Sequence, residues 1–147
     1  MSSVKPFRDD EVHTPVLVGL LFRRLGIEIH DRDRGGLRQS HFRLLAAVPP
    51  EGASVTDLAE RLQVTKQGCG QLVTPLVESG HLRIAPAPHD GRVRLVRRTA
   101  KGGRLYASVR RRIATIEEAW AAEVGEERYA TFRAVLEELA AGQSSER

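Results

Sequence analysis

Residues 54–99 constrain this chain more than any other stretch: two short helices, a charged β-hairpin and the start of a long helix follow one another closely. Ser54 and Asp57 have the spacing of a capping box, a hydroxyl at the N-cap and a carboxylate three residues later. Leu58, Ala59 and Leu62 then share one helical face. After Gln63-Val64, Thr65 caps a second helix predicted to run to about Ser79, and Gly80 suits a left-handed stop. Two helices joined by so short a turn make a helix-turn-helix, whose second helix is the kind that enters the major groove of DNA.

That second helix sorts into two faces. Cys69, Leu72, Val73, Leu76 and Val77 form a stripe at i, i+3, i+4, i+7 and i+8 and are predicted to be buried. Gln67, Gln71 and Thr74 lie opposite, with Thr65 and Lys66 at the N-terminal end. Gln can bond N6 and N7 of adenine, Lys reaches guanine acceptors or phosphate, and Thr contacts either. Any amphipathic surface helix also has a polar exterior, so this face alone does not settle DNA binding. Gly68 and Gly70 each cost about 1 kcal/mol inside a helix, and Pro75 roughly 3, so a bend near Gln71 is expected.

The hairpin shifts the balance towards DNA. Residues 82–85 and 93–96 have strand character, and the Pro86-Ala87-Pro88-His89-Asp90-Gly91 link is rich in turn signals. Arg83, Arg92, Arg94, Arg97 and Arg98 make it basic. A two-stranded hairpin directly after a recognition-type helix is a wing, and an Arg near its tip can enter a minor groove or hold phosphate.

The order of elements, with Asp90-Gly91-Arg92 in the wing and Arg98-Thr99-Ala100-Lys101-Gly102 opening the next helix, resembles the MarR family of bacterial transcriptional regulators. The resemblance spans residues 14–140, is strongest over 37–104 and is architectural at the two ends. Residues 37–45 (Leu-Arg-Gln-Ser-His-Phe-Arg-Leu-Leu) are similar to the family's helix before the helix-turn-helix. The resemblance implies a homodimer on a short inverted repeat, usually a repressor. A small phenolic or lipophilic ligand, or thiol oxidation, would release it. It also implies that Asp90 braces an Arg while Arg92 enters the minor groove, with Arg94 beside them.

Charge distribution agrees. Over residues 66–112 eleven Lys/Arg face two acids, whereas residues 113–147 hold three Arg against eight Glu. A basic middle and an acidic end suit a DNA-facing module joined to a part that must avoid DNA. Aromatic content of 5% gives little support to stacking on single strands or RNA. The one cysteine excludes an internal disulfide framework. Residues 16–22 are apolar but too short to span a membrane, and with no signal peptide the expected location is the cytoplasm.

The expected fold is mainly α with a small β-hairpin wing: one domain of 147 residues, with a winged helix-turn-helix over 37–99 flanked by dimerisation helices over 14–31 and 100–141. Helices are predicted over residues 14–30, 39–48, 99–123 and from Tyr129's segment to about Ala140, with a glycine-ended break at 31–36. Leu17, Leu20, Leu21, Leu25 and Ile29 at one end, and Tyr129, Phe132, Leu136 and Leu139 at the other, are apolar stripes that two-fold pairing would bury. His13, Arg23, His30 and Arg43 lie on the elements that could form an effector pocket, oriented to an anionic or phenolic group. Cys69 sits on the buried face, where a thiol acts as a small hydrophobe rather than a sensor. The five His lack metal-site spacing, and no nucleophile motif or phosphate-binding glycine loop occurs, so no catalytic residue, metal or cofactor is expected. The alternative is a winged-helix module that binds another protein, without specific DNA binding.

Overall fold

Capping residues and apolar stripes set the helices almost where the sequence places them. The structure, a computed structural model, describes residues 12–30 and 37–142. The order is α1 (Thr14–His30), α2 (Gln39–Ala47), α3 (Val55–Leu62), α4 (Lys66–Glu78), β1 (Leu82–Pro86), β2 (Arg94–Arg98), α5 (Ala100–Val124) and α6 (Glu126–Ala141). This mainly helical arrangement with a two-stranded hairpin is a winged helix-turn-helix. The expected break at 31–36 lies outside the described residues. The chain divides into two compact units, one running to Arg110 and the other from Arg111.

The first unit owes its core to the stripes. Leu44, Leu45 and Val48 around α2, Leu58 of α3, Cys69 and Leu76 of α4, Leu82 of β1 and Val96 of β2 are all essentially inaccessible. Each such aliphatic side chain stabilises the fold by about 1.5–3 kcal/mol relative to exposure. β1 and β2 pair antiparallel from Leu82↔Arg98 to Pro86↔Arg94. That places β2 one to two residues later than its sequence pattern suggests. Ala53 joins the other edge of β2, its N–H donating to the Val96 carbonyl at 3.1 Å and its carbonyl accepting from Val96 N–H at 2.8 Å. A single alanine between Gly52 and Ser54 carries no strand pattern, so this third edge was not legible.

Two arginines close the C-terminal end of α2. Arg98 donates to the Leu45 carbonyl at 3.0 Å while its guanidinium lies 4.4 Å from the Tyr106 ring centroid. Arg61 donates to the Ala47 carbonyl at 3.3 Å. Helix C-termini leave such carbonyls without intrahelical partners and favour cations. Arg98, counted above among the basic residues of the hairpin, is therefore a brace between elements. At the other end of α2, His41 is buried and its Nδ1 accepts from Arg38 N–H at 2.9 Å, taking the place of a hydroxyl cap. On α1, Gly26 makes room for Gln39, whose amide donates to the Phe22 carbonyl at 3.4 Å.

In the second unit the end of α5 and all of α6 form a helical hairpin, reversed at Gly125 with φ +99°. Tyr129 Oη donates to Glu117 at 2.9 Å across the hairpin, and Arg133 reaches both Glu117 and Glu137. No residue of α6 is buried.

Candidate nucleic-acid interface

Three residues set the ends of α3 and the start of α4. Ser54 Oγ accepts from Asp57 N–H at 3.1 Å, starting α3. Gln63 ends it in the left-handed region, φ 54° and ψ 44°, a conformation that costs a non-glycine residue about 1–2 kcal/mol. Thr65 Oγ1 then accepts from Gly68 N–H at 2.9 Å and starts α4. Thr65, Lys66, Gln67, Gln71 and Thr74 are all exposed, while Cys69, Val73 and Leu76 are buried. The fold thus brings the α4 set together on one solvent face. The N-terminal N–H groups and Lys66 lie at the same end, an arrangement that attracts phosphate.

Thr74 is also tied to its own helix. Its hydroxyl donates to the Gly70 carbonyl at 3.0 Å, so it is turned back onto its own helix. The next residue is Pro75, which removes the N–H that the Gln71 carbonyl would otherwise accept. A back-bonded Thr beside a proline favours the bend expected from the sequence.

At the wing tip, Asp90 Oδ1 accepts from the backbone N–H of Arg92 at 3.0 Å. Val93 N–H donates to the Asp90 carbonyl at 3.1 Å and Ala87 N–H to the Val93 carbonyl at 2.8 Å. The Asp90 brace is therefore made to the Arg92 backbone and not to an Arg side chain, because the carboxylate sits two residues before that N–H, in the spacing of an Asx turn. The Arg92 and Arg94 side chains are exposed.

Residues 36–93 match the model of the MarR family. Over that stretch the chain is similar to the MarR family. Solved structures agree on the fold. It is similar to a crystal structure of MarR, at 20% identity, TM-score 0.78, over 94% of this chain and 95% of that one. It is also similar to the PcaV transcriptional regulator from Streptomyces coelicolor in complex with its natural ligand, at 22% identity, TM-score 0.72, over 91% and 96%. A third is the S. aureus MepR–DNA complex, at 16% identity, TM-score 0.74, over 90% and 99%. No curated protein matches the sequence.

Other candidate residues are more scattered. His13 precedes α1, Arg23 is on α1 and Arg43 on α2, each exposed, while the side chain of His30 lies outside what is described. A groove of about 320 Å³ in the second unit is lined by Glu117, Tyr129, Phe132, Arg133, Leu136 and Ala140. The sequence pattern showed its apolar stripe but not the Tyr129–Glu117 bond, which needs the reversal at Gly125. Cys69 is fully buried, and burial pushes its thiol pKa up, disfavouring the reactive thiolate. Among the described residues no group of three His, Cys, Asp or Glu is placed to hold a metal. No described helix is long and apolar enough to cross a membrane.

Proposed function

We propose that the chain is a sequence-specific regulator that binds an inverted-repeat operator as a homodimer and acts as a repressor. Residues 37–99 form the DNA-binding core of one functional domain, and 14–31 and 100–141 supply the dimer. The observation that carries this reading is the joint exposure of Thr65, Lys66, Gln67, Gln71 and Thr74 on α4, next in sequence to a wing tip whose Asp90 turn presents Arg92 and Arg94. Amides at Gln67 and Gln71 suit base edges, while the arginines and Lys66 suit phosphate and the minor groove. Exposed Val16, Leu17, Leu20 and Phe22 on α1, and Phe132, Leu136 and Leu139 on α6, supply the apolar surface that a second copy covers.

Release of the operator by a small phenolic or lipophilic effector belongs to the same proposal, with His13, Arg23, His30 and Arg43 orienting it. The similarity to a ligand-bound PcaV and a DNA-bound MepR supports a fold that serves both partners. An effector shifts DNA binding only by its difference in affinity for the two states. Calorimetry with salicylate-like and larger lipophilic compounds, with and without operator, tests it: equal affinity in both conditions removes that compound.

The DNA reading is tested by selecting duplexes from a random library and measuring their affinity against salt. A steep slope with one preferred inverted repeat is expected. Arg92→Ala should weaken binding and reduce the slope by about one contact per protomer while the fold stays intact. Unchanged affinity in that variant removes Arg92 from the interface.

A further inference from the structure

Gln67, Gly70, Gln71 and Thr74 fall at i, i+3, i+4 and i+7, so Gly70 lies amid the polar face of α4. The fold gives no reason for a glycine there. A Cβ at Gly70 would meet nothing within 4 Å. By contrast, a Cβ at Gly52 would lie 2.8 Å from Arg97 Cγ, and one at Gly102 would run into the His81 carbonyl. Gly70 therefore weakens the helix and returns nothing to the packing of the free protein.

Thr74 supplies the second observation. Its hydroxyl proton goes to the Gly70 carbonyl at 3.0 Å, so the oxygen can only accept, and its γ-methyl is the apolar group at this exposed position. Gly70 thus leaves bare backbone on this face, between the helical positions of Gln67 and Gln71, with Thr74 one turn later. An apolar knob of one-carbon size fits such a surface. In the DNA major groove the group of that kind is the C5-methyl of thymine, which pairs with apolar side-chain atoms such as the Thr methyl.

We propose that Gly70 and Thr74 read a thymine methyl in each half-site, Gly70 by allowing close approach and Thr74 by apolar contact. This rests on α4 entering the major groove, as proposed above. Gly70 is a specificity-determining position without a side chain, and Thr74 reads through its methyl rather than its hydroxyl.

The test uses the full chain and a duplex chosen by the wild type from a random library, with each thymine replaced in turn by deoxyuridine, which removes only the methyl. One thymine per half-site should lose about fourfold in affinity, and roughly fifteenfold when both half-sites are changed. Thr74→Ser keeps the bond to the Gly70 carbonyl and lacks the methyl, so it should bind thymine and uracil duplexes equally. Gly70→Ala should raise the melting temperature by about a few degrees yet bind the selected duplex roughly tenfold more weakly. Deoxyuridine that costs nothing at any position, in a protein that still prefers its selected duplex, overturns this proposal alone. So does Gly70→Ala that binds as the wild type does. A wild type that selects no duplex fails the DNA reading itself.

Discussion

The winged core and the terminal helices use the same apolar residue types to opposite ends. Within the core, Leu44, Leu45, Leu58 and Leu76 are completely inaccessible. On the terminal helices Leu17 keeps 51% of its surface, Phe22 50% and Leu139 68%. The core completes its own burial and so stands preformed. The terminal helices leave their largest contribution to be made with another surface.

The sharpest break of that comparison is a pair of truncations. Leu44→Ala should lose about 2–5 kcal/mol of unfolding free energy in denaturant titration, because it opens a cavity in a filled core. Leu139→Ala should lose under about 0.5 kcal/mol in a dilute monomer, and instead weaken self-association in sedimentation. Equal losses would mean that the two regions are packed alike.

Adjacent glycines at the start of α5 give a second contrast. Gly102→Ala drives a Cβ into the His81 carbonyl and should destabilise by about 1–3 kcal/mol or more. Gly103→Ala meets nothing within 4 Å and should stabilise by up to about 1 kcal/mol. Thermal melts of the two variants should move in opposite directions. The junction at Gly102 is closed by Thr99, whose Oγ1 donates to the Gly80 carbonyl at 2.5 Å, and by Lys101, whose Nζ donates to the Ser79 carbonyl at 2.7 Å. Smaller still, Ser54→Ala and Thr65→Ala should each cost about 1 kcal/mol by removing the caps of α3 and α4.

What the sequence disclosed follows from how local each signal is. The caps at Ser54 and Thr65, Cys69, Val73 and Leu76 of the α4 stripe and the turn residues at the wing tip act within a few positions and appear where the pattern puts them, while Leu72 and Val77 of that stripe are only half-buried. The misses are long-range or conformational. Arg98 bonding the Leu45 carbonyl spans 53 residues, and the Ala53–Val96 bridge joins segments with no shared pattern. Asp90 was assigned an Arg side chain, but an Asx turn to the Arg92 N–H is nearer at hand. Thr74, read as a contact to base or phosphate, gives its hydroxyl proton to the Gly70 carbonyl within its own helix.

The smallest effect is acid sensitivity of the core. Burial, then the Arg38 charge, lowers the His41 pKa; burial, then Lys101, lowers that of His81. The unfolded chain thus binds these protons more readily than the folded one. Stability from both groups is fully present above the ordinary value of 6.5 and is lost as pH falls below it towards the lowered folded values. Melting temperatures should fall between pH 7.5 and pH 5, and less so in His41→Gln.

The most direct test of the central claim is the stoichiometry and sequence dependence of duplex binding, measured together by sedimentation at fixed salt. The account predicts two protomers on one selected inverted repeat, with scrambling of both half-sites lowering affinity by roughly a thousandfold or more. One protomer per duplex, or equal affinity for the scrambled duplex, would contradict it.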